Sequence, residues 1–232
     1  MASEQPIVII GGFLAKSSFY KELYETLIKV SGQPVFICSL GLIDWIRAVN
    51  AGGWLKIMAK LHGKVKEAAK VSATGKIILV GHSSGGVISR LYLGPDEFLG
   101  KVFKGLDYVS HLITLGSPHY NLHGAKMRKY VQKIYPDSYF YPKVKYFCVA
   151  GAAVQGDRKG SILSRISYYS YKFICGRGDV KGDGLVPVES ALLRKSEQLI
   201  LDGVDHPFFK KRNWYGNTEN VSKWWYRFLS TV

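Results

Sequence analysis

A chain of 232 residues is long enough for one sizeable core and lies near the upper size of a single α/β domain. With 47% hydrophobic and 13% aromatic residues against 21% charged, it is neither disordered nor fibrous. Thirty-two Lys and Arg against seventeen Asp and Glu leave a formal charge of +15, which predicts an anionic partner and by itself leaves nucleic acid, acidic lipid and acidic protein open.

The N-terminal Met1-Ala2-Ser3-Glu4-Gln5-Pro6 carries an acid and no apolar run with a cleavage site. No segment reaches the roughly eighteen uninterrupted apolar residues of a membrane span. Cys38, Cys148 and Cys175 form no CxxC and no Cys/His cluster at metal-ligand spacing, so no metal and no disulfide framework is expected. The expectation is a soluble protein of a reducing compartment, cytoplasmic or stromal, with no cofactor.

In chain order, Pro6 to Ile10 reads as a buried strand closed by Gly11-Gly12. Phe19, Leu23 and Leu27 recur every four residues until Gly32 and Pro34 stop the helix. Pro34 to Cys38 is the next strand. Residues 44 to 72 read as helix in two pieces broken at Gly52-Gly53, the second carrying Ile57, Leu61, Val65 and Ala68 on one stripe. Lys76 to Gly81 is a strand and Val87 and Leu91 belong to the helix after it; His111 to Leu115, Lys145 to Val149 and Gln198 to Leu201 are further β-rich runs. Strands alternating with helices predict a doubly wound, mostly parallel α/β sheet of about six strands. The connections 119–143 and 156–182 exceed the usual length and are expected to form a helical cap or lid on one domain spanning 1–232.

Gly81-His82-Ser83-Ser84-Gly85 fits G-x-S-x-G directly between an apolar strand and a helix. Such a turn is so tight that side chains at Gly81 and Gly85 would clash, and it leaves Ser83 exposed on a strained bend. Without activation the same residue would be an ordinary N-cap. A serine hydroxyl needs a base and an orienting carboxylate, in the chain order Ser, acid, His. His62 precedes the serine, His82 cannot turn back onto its neighbour, His111 opens a strand, and His119 and His123 come before any suitable acid. His206, in Asp205-His206-Pro207 just past the last strand, can swing over the sheet edge. Asp183, between Gly182 and Gly184 in a rigid turn ending at Pro187, is the preferred acid; Asp179 is its rival, Asp202 and Asp205 shape the histidine loop, and Asp157 is a turn residue. The oxyanion of a tetrahedral intermediate needs two N–H donors: one is expected from Ser84, the other from Phe13 after the supporting Gly11-Gly12.

Taken together, Ile9 to Leu14, Gly81 to Gly86, Thr114-Leu115-Gly116-Ser117-Pro118-His119, Gly182 to Pro187 and Asp205-His206 resemble the lipase-like branch of the α/β-hydrolase superfamily. That branch includes bacterial lipases, plant and cyanobacterial acyl hydrolases and the lecithin:cholesterol acyltransferase group. The resemblance implies Ser83 as nucleophile, Asp183 as acid, His206 as base, and Phe13 with Ser84 as oxyanion donors. His119 matches a position that is structural in the family. Many bacterial lipases carry His-Gly where this chain has Gly11-Gly12, and no calcium-binding acid pair is recognisable.

Residues 121 to 181 hold twelve Lys and Arg against three Asp, nine of the fifteen excess charges, interleaved with Tyr130, Tyr135, Tyr139, Tyr168, Tyr169 and Phe173. This mixture suits peripheral adsorption to an anionic membrane surface, where aromatics settle at headgroup level. Solvated lysines over packed tyrosines are the plainer alternative. Nucleic acid ranks behind, because no nucleic-acid fold signature is present and the triad would be unexplained. The expected activity is serine ester hydrolysis of a lipophilic acyl ester. Acyl transfer or thioester hydrolysis would use the same residues, and a non-catalytic membrane- or partner-binding protein on this scaffold is the alternative of another class.

Overall fold

A computed structural model describes residues 4–124, 126–207 and 213–232. Its centre is a six-stranded, wholly parallel sheet built from β1 (Ile7–Ile10), β2 (Val35–Cys38), β3 (Ile77–His82), β4 (Val109–Leu115), β5 (Lys145–Ala152) and β8 (Glu197–Asp202), in the order β2-β1-β3-β4-β5-β8. A small antiparallel pair, β6 (Val154–Gln155) and β7 (Lys181–Gly182), stands apart from it. All six strands read from the apolar runs are present, with ends shifted by a few residues.

The inner strands are largely apolar runs because both their faces are covered, whereas the edge strand β8 is mostly exposed, and the period of two divides the core. Val8 and Ile10 of β1, Leu79 of β3 and Cys148 of β5 enter one cluster with α3 (Ala51–Lys70) and α4 (Ser84–Leu93). Ile7 and Ile9, Ile78 and Val80, and Phe147 and Val149 enter the other, against α1 (Lys21–Ser31) and α8 (Thr218–Leu229). Helix α8 was not anticipated from the sequence, although Val221, Trp224, Trp225 and Phe228 recur at helical spacing and are fully buried.

One expected break lies elsewhere. The two helical pieces are α2 (Leu42–Arg47) and α3, parted at residues 48–50, while Gly52 and Gly53 sit inside the first turn of α3. Asn50 caps that turn by accepting from the Gly53 N–H at 3.1 Å. A Cβ at Gly53 would fall 2.0 Å from the Arg47 carbonyl oxygen, so this glycine serves close helix packing rather than a chain break.

Between the strands lie α5 (Lys126–Ile134), α6 (Ile162–Cys175) and α7 (Val188–Ala191). The six strands of the main sheet being parallel, the segments after β1, β3, β4, β5 and β8 emerge at one edge, and the candidate residues lie on these segments. No helix among the described residues is long and apolar enough to cross a membrane.

Candidate active site

Ser83 occupies the bend between β3 and α4 with φ 53° and ψ −124°, a conformation costly for a residue with a side chain. Two backbone bonds hold it: the Ser83 N–H donates to the Leu115 carbonyl at 2.9 Å, and the Gly86 N–H donates to the Ser83 carbonyl at 3.1 Å. The flanking glycines permit the bend. A Cβ at Gly81 would lie 2.5 Å from the Gly86 Cα, and one at Gly85 would lie 2.5 Å from the Ile10 carbonyl oxygen. The serine makes no side-chain cap on α4.

Asp183 is almost fully buried, at 1% exposure, and its carboxylate accepts four hydrogen bonds. Oδ1 takes the N–H groups of Leu185 at 3.0 Å and Val186 at 2.7 Å, while Oδ2 takes the Tyr215 hydroxyl at 2.7 Å and His206 Nδ1 at 2.8 Å. Every bond runs toward the carboxylate, as suits an acceptor-only group. His206 therefore carries its proton on Nδ1, which leaves Nε2 as the unprotonated ring nitrogen. The hydrogen bonds of the site join Asp183 to His206; among the described residues none reaches Ser83 Oγ.

Asp179 stands apart. It is exposed, and its backbone carbonyl accepts from Gln155. Asp202 pairs with Lys181 at 2.9 Å, the Asp205 N–H donates to the Asn213 carbonyl at 2.7 Å, and Asp157 caps a tight turn by accepting from the Lys159 N–H at 2.8 Å.

Around Ser83 is a layer of residues without a motif. Tyr20 on the 3₁₀ turn Ser17–Tyr20 accepts from the Gly12 N–H at 2.7 Å and shares a hydrogen bond with His82 Nδ1 at 2.9 Å. This pins the loop after β1 next to the serine, where a Cβ at Gly12 would lie 2.8 Å from the Ser83 Cβ. Phe13 follows Gly12 and is half exposed, its ring edge-on to Trp45 at 5.8 Å. The Ser84 N–H opens α4. Both expected oxyanion donors thus belong to segments that border Ser83.

His82 is buried and stacks on His206 with ring centroids 5.0 Å apart. Burial, with the His206 imidazole beside it, holds its pKa well below the usual value, so it stays neutral. Tyr215 also accepts the Gly151 N–H at 2.7 Å, and burial with the neighbouring Asp183 pushes its pKa well above 10, keeping it a donor. His119 is wholly buried between Arg90 and Thr114. Tyr20, Tyr215 and the stacked His82 carried no sequence signal beyond being polar among apolar neighbours. His62 and His111 lie elsewhere, on α3 and β4.

The two long connections reach this edge. Ser167 and Ser170 of α6 donate to the carbonyls of Gly184 and Leu185 at 2.9 and 2.6 Å, clasping the Asp183 turn. Arg128 of α5 donates to Ser84 Oγ at 3.0 Å. A cavity of about 390 Å³ beside Lys145 and Glu197 lies at the opposite end of the strands, where β5 and β8 begin, and has no bearing on Ser83. No cluster of His, Cys, Asp and Glu suited to a metal is found among the described residues.

Comparison with known proteins agrees with this architecture. Residues 55–164, which include the Ser83 turn, match the family described as PGAP1-like alpha/beta domain. Curated protein sequences gave no match. Among solved structures, a protein from Lactobacillus plantarum WCFS1 described as a cell surface hydrolase superposes with a TM-score of 0.57 at 14% identity, covering 99% of this chain and 93% of that one. Est1E from Butyrivibrio proteoclasticus gives 0.54 at 15% identity over 99% and 90%. Tomato methylketone synthase I, complexed with 2-tridecanone, gives 0.50 at 12% over 98% and 97%. The chain is an α/β-hydrolase in fold.

Proposed function

We propose that the protein is a serine ester hydrolase acting on a lipophilic acyl ester. The observation carrying this reading is the pairing of Asp183 with His206 Nδ1 at 2.8 Å on the sheet edge where Ser83 sits on its strained bend. In the proposed cycle, Ser83 Oγ attacks the ester carbonyl as His206 Nε2 takes its proton. The N–H groups of Ser84 and Phe13 receive the oxyanion, and the alcohol leaves with the proton from His206. Water then attacks the acyl-enzyme, giving up a proton to His206, which returns it to Ser83 Oγ as the bond to the acyl carbon breaks and the carboxylic acid leaves. Asp183 keeps the imidazole in its productive tautomer and stabilises the imidazolium.

The lipophilic substrate is supported by the long-chain ketone that the tomato neighbour's structure contains and by the exposed apolar outer face of α6. On the face of α6 away from the Asp183 turn, Ile162, Leu163, Ile166, Tyr169 and Phe173 are all exposed, with Arg165 and Lys172 between them. No acid occurs between Arg158 and Gly178. We assign residues 119–143 and 156–182 as a cap and the outer face of α6 as the part that meets an anionic lipid surface, apolar side chains entering the headgroup boundary and basic ones meeting lipid charge. A peripheral membrane position follows from that assignment.

Acyl transfer and thioester hydrolysis would use the same residues and differ only in acceptor or leaving group. The deciding experiment is labelling with a fluorophosphonate alongside hydrolysis of acyl esters of graded length. Wild type is expected to label at Ser83 and to hydrolyse, and Ser83→Ala to do neither. Equal turnover by Ser83→Ala after exclusion of contaminants would refute the assignment, and a wild type that never labels would point to a non-catalytic binding protein.

A further inference from the structure

Arg128 has a setting that the hydrolytic cycle does not use. It stands on the first turn of α5, half-buried, and its Nη2 donates to Ser84 Oγ at 3.0 Å. Ser84 is also the residue whose backbone N–H is assigned to the oxyanion. The other basic side chains of α5, Lys126, Lys129 and Lys133, all point into solvent. Arg128 alone turns inward.

What Arg128 lacks is an anion. It takes part in no ion pair among the described residues, and α5 contains no acid. Burial alone depresses its pKa, with no neighbouring carboxylate to offset the loss of solvent. A guanidinium offers five N–H donors in a planar fork, and a single neutral hydroxyl is a poor match for them. A half-buried cation without a counter-charge, with its remaining donors free to take one and bordering the residue assigned to the oxyanion, is the arrangement of a site completed by its ligand.

We infer that Arg128 binds an anionic group on the substrate, and that the preferred ester has a phosphate on its alcohol portion. This rests on the reading of Ser83 as nucleophile. The acyl chain needs apolar walls and would not settle against a guanidinium, so the polar alcohol half is the part directed to Arg128. Phosphate matches the fork in geometry and charge. The chemistry is unchanged: the acyl carbon passes to Ser83 Oγ, the phosphorylated alcohol leaves with the proton from His206, and water releases the carboxylic acid.

The test compares oleoyl glycerol with oleoyl glycerophosphate, which share acyl chain and ester and differ in the phosphate. Wild type is expected to show a kcat/KM at least about tenfold higher for the phosphorylated ester. Arg128→Gln should reduce that ratio about tenfold, and Arg128→Lys, which keeps the charge without the fork, should retain part of it. In parallel, binding of the non-hydrolysable ether analogue oleyl glycerophosphate is measured by calorimetry, with Arg128→Gln expected to weaken it about tenfold. This arm reads Arg128 even if Ser83 is not the nucleophile, so the two assignments fail separately. An unchanged ratio together with unchanged binding would overturn the inference. So would loss of the phosphate preference in the presence of equimolar inorganic phosphate, which would make the site one for free phosphate.

Discussion

Asp183 and His206 are joined twice: through the ring, Nδ1 to Oδ2 at 2.8 Å, and through the backbone, where the His206 N–H donates to the Asp183 carbonyl at 2.6 Å. The second bond ties the loop after β8 to the turn before α7. The imidazole is therefore placed by main chain as well as by side chain, on a loop that a single contact would leave free to move.

The four bonds converging on the Asp183 carboxylate make its replacement unusually informative. An amide at this position has no orientation free of a donor–donor clash, because both oxygens already accept N–H or O–H groups. Asp183→Asn is expected to lower kcat on an activated ester by on the order of 10³- to 10⁴-fold, with the wrong imidazole tautomer as the cause. Asp179→Asn should stay near wild type. Stopped assays of both variants decide which aspartate acts.

Tyr215 gives a prediction about stability. Its hydroxyl accepts from Gly151 and donates to Asp183, so Tyr215→Phe leaves a buried N–H without an acceptor and the carboxylate with one donor fewer. The expected loss is about 1–3 kcal/mol in urea unfolding. An unchanged midpoint would show that the hydroxyl is dispensable.

The outer face of α6 should bind anionic vesicles and release them at high salt. Each basic residue near such a surface contributes about 1 kcal/mol, so Arg165→Gln with Lys172→Gln should weaken partitioning by roughly 30-fold. Sedimentation with phosphatidylserine-containing and neutral vesicles measures this. Equal binding to both kinds would remove the lipid assignment from this face.

Three buried histidines set an acid limit on the fold. His82 and His119 are held neutral by burial, and His111 is lowered to about 4 by burial and by Lys145. A histidine whose folded pKa lies below its unfolded value of 6.5 favours the folded state fully above pH 6.5, and this advantage is lost as pH falls toward the folded value. Thermal midpoints should therefore be level above about pH 7 and decline from about 6.5 to 4. Replacing His111 by Asn should flatten that decline, which a melting series across the range would reveal.

The four inner strands were legible because each is a short apolar run buried on both faces, the edge strands β2 and β8 because a short apolar run survives in each although β8 is mostly exposed, and the Ser83 turn because only small residues fit beside a strained serine. Less visible was α8, whose Trp and Phe stripe is interrupted by Ser222, Lys223, Tyr226 and Arg227 and follows the last strand without a strong start signal. Gly52-Gly53 misled because a glycine pair reads as a breaker, whereas its real constraint is the Arg47 carbonyl packed against Gly53.

By itself, the order of residues determined the sheet, the place of Ser83 at its edge, and the short list from which acid and base could come, since apolar periodicity and steric limits act locally. The partners of those residues were decided only by the tertiary structure. Tyr215 meets Asp183 across 32 positions, Tyr20 meets His82 across 62 and Arg128 meets Ser84 across 44. Hydrogen bonds of such span have no periodicity to announce them, because they arise where parallel strands deliver distant loops to the same edge.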